Sequence, residues 1–200
     1  MARLTRAESQ ERTRRLLVEA ATGLFLRDGY RATSLETIAE EAGFSRGAVY
    51  SNFDSKTEIG VVVVDALYER AARDASAAMS LVLGDGPRAW TDALASSLQT
   101  SVGNRDWARL EIELAASVDG DTLRAAVARR YAALRRTCRD MLVAAYAAAN
   151  LPPPADPDLV SLAVASLVLG LGMQRAYDPD IPAEAVGQLL HLLVSGLTSS

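Results

Sequence analysis

Apolar residues recur at helical spacing along almost the whole chain. Leu17, Ala20, Ala21, Leu24 and Phe25 share one face of a first segment, expected over residues 8–28 with Gly29 beyond its end. Leu35, Ile38, Ala39 and Ala42 make a second, shorter stripe. Thr33 followed three places later by Glu36 reads as a capping box that starts this helix near Ser34, and Gly43 stops it. Ser45 is the N-cap of a third short helix, with Val49 and Phe53 on its inner face. Ser55 and Glu58 cap a fourth, which meets no breaker but Gly60 until about residue 82 and carries Val62, Val63, Ala66 and Leu67 on one side.

The same period continues to the end. Gly84-Asp85-Gly86-Pro87 separates the fourth helix from a fifth, expected over 88–102. A sixth spans 105–118 after Gly103-Asn104. A seventh starts at Asp119-Gly120-Asp121 and reaches about residue 150, with Leu123, Val127, Leu134, Cys138, Met141, Leu142 and Ala145 as its apolar positions. Leu151-Pro152-Pro153-Pro154 breaks the chain before an eighth helix over 156–177. Asp178-Pro179 ends that one, and Pro182 falls in the first turn of a ninth that ends near Leu197. No stretch alternates with the period of a strand, and no segment repeats. The pattern predicts an all-α protein of about nine helices, with a three-helix domain over 1–54 and a larger helical domain over 55–200.

The eighth and ninth helices differ from the rest. Residues 159–173 are apolar nearly all round, and Gly170 and Gly172 allow close approach. Val186, Leu189, Leu190, Leu192, Leu193, Val194 and Leu197 crowd the ninth. A helix without a polar face must be covered on every side. A two-fold partner, giving a four-helix bundle through Leu162, Ser166, Gly170, Leu189, His191 and Leu193, is the simplest cover. The alternative is a pair of internal core helices in a monomer. The 159–173 run is shorter than the roughly 20 residues of a membrane span, so a buried helix is expected and no membrane partner.

Composition narrows the class. Half of the 200 residues are hydrophobic and 23% are charged, as in a globular helical protein. The N-terminal Met-Ala-Arg-Leu-Thr-Arg has no secretory apolar region, and one cysteine, Cys138, excludes an internal disulfide and a cysteine-rich zinc site. A cytoplasmic location is expected. Net charge is −4, but it is unevenly spread. Residues 61–200 carry 12 basic and 16 acidic side chains, whereas Arg3, Arg6, Arg12, Arg14 and Arg15 crowd the N-terminal end. That end suits phosphate contact, or is a solvated basic tail.

Two short helices around a glycine turn form a helix-turn-helix, which presents its second helix to the major groove of DNA. Arg46, Gly47, Tyr50, Ser51 and Asn52 fall on or near the outer face of that helix. Arg can grip guanine or phosphate, Asn can read adenine, Tyr and Ser can bond phosphate, and Gly lets the backbone approach. Lys56 opens the next helix, where anions are favoured. The run from Phe25 to Ile59 resembles the N-terminal domain of the tetracycline-repressor (TetR) family of bacterial regulators. Phe25, Gly29, Tyr30, Ala32, Thr33, Ile38, Ala39, Ala42, Gly43, Ser45, Gly47, Tyr50, Phe53 and Lys56 carry the likeness. Phe44 stands where the family often has valine, and Asn52 where it often has histidine. The resemblance implies a homodimeric repressor that binds a pseudo-palindromic double-stranded operator and is released by a small-molecule effector. It adds Thr33, Phe44 and Ser45 to the DNA-binding candidates, and places the dimer interface on the last two helices.

The second domain should then hold an effector cavity for an apolar or amphipathic molecule. Trp90, Trp107, Tyr131, Met141, Tyr146, Met173, Gln174 and Tyr177 are the candidates for its wall, with ordinary core packing as the competing reading for each. No acidic or basic cluster there points to a metal or a cofactor. Gly43-Phe44-Ser45-Arg46-Gly47 matches a G-x-S-x-G nucleophile elbow in letters only, because a helix precedes it and the single histidine, His191, lies far along the chain. No catalytic residues are expected. Cys138 reads as a small core residue, with redox sensing as an alternative given Arg135, Arg136 and Arg139 nearby. The functional alternative is an all-α enzyme or ligand carrier whose helix-turn-helix has stopped binding DNA.

Overall fold

The computed structural model describes residues 5–99, 104–117, 121–152, 156–178, 180–182 and 184–198. All the regular structure among them is helical: α1 Arg6–Asp28, α2 Leu35–Glu41, α3 Arg46–Tyr50, α4 Lys56–Ser80, α5 Pro87–Gln99, α6 Arg105–Ala115, α7 Asp121–Ala148, α8 Pro157–Tyr177 and α9 Ala185–Thr198. Arg3, Gly103, Asp119, Gly120, Pro153, Pro154 and Pro179, which entered the sequence reading, lie outside the described residues. The chain divides into two compact units, residues 1–66 with 109–123, and residues 67–108 with 124–200.

Helix ends follow local chemistry, with shifts from expectation. Thr5 caps α1, its hydroxyl accepting from the Glu8 N–H while Glu8 accepts from the Thr5 N–H at 2.7 Å, so the helix starts before residue 8. Ser34, rather than Thr33, caps α2 by accepting from the Thr37 N–H at 3.0 Å. Thr33 is buried, and its hydroxyl donates to the Gly29 carbonyl at 2.8 Å. At the other end of α2, Gly43 takes φ +73°, the Gly43 N–H reaches the Glu40 carbonyl and the Phe44 N–H the Ala39 carbonyl. This is the left-handed glycine stop that the sequence signalled. Ser55 caps α4 through the Glu58 N–H, but Glu58 returns its bond to Asp54 rather than to Ser55. Pro182 precedes α9 rather than lying in its first turn.

The first unit has a continuous core. Leu17, Leu24, Phe25, Ile38, Val49, Phe53, Ile59 and Val63 are buried, and Phe25 meets Tyr30 edge to face at 5.1 Å. Residues from α6 complete it. Leu114 closes on Gly60, Arg109 donates to the Leu26 carbonyl at 2.6 Å, and Glu113 accepts from the Arg31 N–H at 3.0 Å. In the second unit Met79, Trp90, Ala145 and Tyr146 centre one cluster, and the Trp90 indole N–H is held by the carbonyls of Val82 and Leu83. Gly187 lets α9 lie directly against Ala95 of α5.

Helix α8 is 21 residues long with mean hydropathy 1.6, so length and composition do not by themselves separate it from a membrane span, contrary to the expectation from the 159–173 run alone. It also is not covered on every side. Val160, Ser161, Ala165, Val168, Leu171 and Gly172 face inward, while Leu159, Leu162 and Met173 are exposed.

Gly60 and Gly23 give opposite expectations. A Cβ at Gly60 would lie 2.8 Å from Leu114 Cδ1 and 2.9 Å from Tyr30 Cε2, both buried, whereas one at Gly23 meets nothing within 4 Å. Gly60→Ala should destabilise, because overpacking of about 1–3 kcal/mol exceeds the helix-propensity gain of about 1 kcal/mol. Gly23→Ala should stabilise by about 0.5–1 kcal/mol. Urea melts check both, and a Gly60→Ala protein more stable than wild type would show that α4 and α6 are not in close contact there.

Candidate nucleic-acid interface and effector cavity

Helix α3 is only five residues long, so its neighbours must hold it. Val49 and Phe53 anchor it from below. Arg14 of α1 secures its far end, with the guanidinium 4.1 Å over the Phe53 ring, an Nη1 bond to the Asn52 carbonyl, and Nη2 at 3.4 Å from Glu58 of α4. One α1 side chain thus ties the α3–α4 turn to the unit core. Nothing in the spacing of the sequence marks Arg14 for that task.

The outer face then carries Ser45, Arg46, Gly47, Tyr50 and Ser51, all exposed. Arg46 is not loose on that face. Its Nε is 2.9 Å from Glu36 Oε1 of α2, its Nη2 donates to Tyr50 Oη at 3.2 Å, and the guanidinium sits 5.4 Å from the Tyr50 ring centroid. The Tyr50 bond first, and then the Glu36 charge, hold the guanidinium pKa above its ordinary value.

The remaining candidates are placed differently. Thr33 is buried and bonds Gly29, so its hydroxyl serves the turn rather than the outer face. Phe44 is half-buried. Asn52 turns its amide nitrogen to the Ala48 carbonyl at 2.8 Å, which withdraws that donor from a base. Lys56 is half-buried, with its ammonium bonded to the Arg31 carbonyl at 3.2 Å and 4.5 Å from the Tyr30 ring centroid. Burial lowers its pKa, against the opposing charge of Glu113. Glu113, which the sequence reading passed over, and Glu36, which it read only as part of a capping box, therefore each act on a cationic candidate.

In the second unit a cavity of about 70 Å³ lies among α4, α5, α7, α8 and α9. Ala71, Ala75, Met79, Trp90, Leu94, Leu134, Cys138, Met141, Leu142, Val160, Val164 and Leu190 line it. Among the described residues no charged side chain reaches its wall. Thr91, Thr137 and Ser161 carry its hydroxyls, and those of Thr91 and Ser161 donate to the Arg88 and Pro157 carbonyls of their own helices. Of the residues expected to form the wall, Trp90 and Met141 do so. Tyr146 packs against Trp90 with the rings tilted and their centroids 5.5 Å apart, and burial raises its phenol pKa. Trp107 and Tyr131 instead pack around Tyr68, at 5.0 and 6.2 Å, with Arg130 over the same ring. Met173, Gln174 and Tyr177 are exposed at the end of α8 and do not line the cavity. A long apolar stripe predicted the core here, but not which aromatics would border the void.

The residues expected at a dimer interface lie on faces that the protomer leaves open. Leu162, Ser166 and Leu189 are exposed, and Gly170, His191 and Leu193 are half-buried. Leu159 and Leu192 extend the patch, at 61% and 68% exposure, too much apolar area for an ordinary solvated face.

Residues 17–60 match the tetR family of bacterial regulatory proteins, and residues 87–198 match the C-terminal domain of the BetI-type transcriptional repressors. The transcriptional regulator TtgR of Pseudomonas putida is 44% identical over 69 residues, which cover 34% of this chain and 32% of that protein. The chain's match therefore spans about a third of the curated relative's length. Over the whole chain, the crystal structure of NalD, the secondary repressor of the MexAB-OprM multidrug efflux pump in Pseudomonas aeruginosa, is 26% identical with a TM-score of 0.59, covering 96% of this chain and 98% of that one. A transcriptional regulator from Rhodococcus sp. Rha1 shares the fold at 18% identity, with a TM-score of 0.69 and coverage of 93% and 96%.

Cys138 offers a check on the cavity. Burial pushes its thiol up to about 11, so almost none is thiolate near neutral pH. That weighs against redox sensing despite the neighbouring arginines. Alkylation by iodoacetamide at pH 8 should run more than about tenfold slower than for an unperturbed thiol and accelerate steeply towards pH 11. Labelling at the rate of a small free thiol would place Cys138 in a wetter site than this one.

Proposed function

This chain belongs to the TetR family of bacterial regulatory proteins, and on that premise we propose that it is a homodimeric transcriptional repressor that leaves its operator when a small apolar molecule enters the second unit. The observation that carries the reading is the exposed face of α3, where Arg46 and Tyr50 stand together on a helix held from beneath by Val49, Phe53 and Arg14. In this reading Ser45, Arg46, Gly47, Tyr50 and Ser51 meet the major groove, with Lys56 supplying a phosphate contact. Residues 1–54 form the DNA-binding part, and residues 55–200 serve sensing and pairing. The protein works in the bacterial cytoplasm, on DNA.

The uncharged wall supports an effector without formal charge, because a buried ion would find no partner there. At about 70 Å³ the cavity is far smaller than typical ligand sites of roughly 300–1,000 Å³. An effector must therefore push the wall outward, and Met79 of α4 and Met141 of α7 are the pliable members. Helix α4 runs without interruption from that wall to Lys56. Expansion that displaces α4 gives the effector a preference for the conformer that does not fit DNA, and differential affinity of this kind is what release requires. NalD, to which the chain is similar, is named as a repressor, and this supports the repressor reading.

The reading is tested by selecting duplexes from a randomised pool with the wild-type protein and titrating the winner against an unrelated duplex. Arg46→Ala should weaken the selected duplex roughly tenfold or more and the unrelated one little, while Lys56→Ala should weaken both and lower the salt slope by about 1. Failure of the wild type to enrich any sequence would favour a ligand carrier. For pairing, Leu162→Arg should convert a sedimenting dimer to a monomer, since it places a cation in an apolar contact. A wild type that sediments as a monomer at micromolar concentration removes the dimer from the proposal.

A further inference from the structure

The Arg46–Glu36 pair raises a question that the DNA-binding reading does not answer. A carboxylate on a face that approaches a polyanion opposes binding, yet Glu36 sits there with its oxygen on the guanidinium that should do the reading. The geometry of the contact resolves this. Glu36 takes the Nε edge of Arg46, at 2.9 Å, and Tyr50 takes one Nη2 hydrogen, at 3.2 Å. The ion pair with Glu36 and the hydrogen bond to Tyr50 together restrain the guanidinium. Neither contact uses Nη1, and an end-on bidentate grip on guanine O6 and N7 would draw on Nη1 together with the second Nη2 hydrogen.

The same carboxylate acts against the competing use of Arg46. In non-specific complexes cationic side chains go to phosphates, and almost all the affinity comes from that source. If Arg46 swings to a phosphate it abandons Glu36, which is then an unpaired negative charge facing the backbone. If Arg46 stays on a base edge, its ion pair with Glu36 survives and the charge remains neutralised. The penalty falls on the wrong mode alone, which is how specificity is gained without added affinity.

Resting on the DNA-binding reading above, we propose that Glu36 is a specificity-determining positioning residue: its ion pair keeps Arg46 available for base readout and withholds it from the phosphate backbone. No other acidic residue takes this position among the ion pairs described. Glu40 and Glu41 lie on the same short helix, but the Arg46 contact is to Glu36.

The test uses the full-length protein, a duplex selected by the wild type from a randomised pool, and an unrelated duplex of equal length and base composition. Glu36→Gln keeps the shape and removes the charge. It should tighten binding to the unrelated duplex, steepen that duplex's salt dependence by about 1 per half-site as Arg46 joins the phosphate contacts, and cut the specific-to-unrelated affinity ratio roughly tenfold. In an Arg46→Ala background the same change should leave the ratio where Arg46→Ala alone put it. Equal loss on both duplexes, or no change on either, would mean a merely structural or incidental surface pair and overturns the proposal. A tenfold fall that persists without Arg46 would mean that Glu36 reads a base itself, which overturns the positioning role. Thermal melts of each variant separate these outcomes from misfolding. If the wild type enriches no duplex at all, the DNA-binding reading fails first and this inference falls with it.

Discussion

The close approach at Gly60 supports everything that the first unit presents to solvent. A side chain there would collide with Leu114 and Tyr30, so hydrogen alone lets α4, α6 and the turn after α1 meet. The need is physical. Helices of seven and five residues are far below the length at which a helix is stable in water, and a three-helix domain of fewer than 60 residues has little core of its own. The unit solves this by recruiting residues 109–123 from later in the chain. Leu110 and Leu114 add apolar surface, and Arg109 and Glu113 occupy backbone groups on either side of the α1 terminus.

That recruitment changes how the turn before α2 can be moved. Glu113 bonds the Arg31 N–H, and Lys56 bonds the Arg31 carbonyl, so one residue of the turn is gripped from α6 and from α4 at once. Both helices extend beyond the first unit, α4 to Ser80 and α6 back to Arg105. A shift of either reaches the same turn. This makes a discrete local change more plausible physically than a smooth deformation, because packed interiors resist small continuous strain.

Much of this was legible in the residues. Element existence followed from apolar spacing, and Gly43 stopped α2 by the mechanism its identity suggested. The departures share one cause, which is that local patterns do not encode which partner is near. Thr33 and Ser34 are both good caps, and only the position of the Gly29 carbonyl decides that Thr33 bonds backward and Ser34 forward. Asn52 has base-reading chemistry, but its amide reaches Ala48 first. Trp107 and Trp90 look alike in sequence, yet one packs on Tyr68 and the other borders the cavity. The roles of Arg14 and Glu36 escaped notice because their partners lie 38 and 10 positions away, beyond any helical period.

The apolar faces of α8 and α9 bring the argument to the scale of the assembly. Within the protomer only about a third of the α8 window is buried, while Leu159, Leu162, Met173, Leu189 and Leu192 remain in water. Val160, Ser161, Val164, Ala165 and Val168 on the opposite side of α8 form part of the cavity wall. One helix thus has the cavity on one side and the open face on the other. If a second copy covers that face, α8 is held between two packed surfaces and loses the freedom to yield outward. Expansion of the cavity must then be taken up elsewhere on its wall, and α4 is a wall helix that leads back to Lys56. Pairing would in that case direct the effector's work as well as set the spacing of two reading helices. A monomer of the same sequence, free to relax at α8, would bind the effector with less consequence for DNA, because strain released in α8 contributes nothing to the difference between the two states of α4.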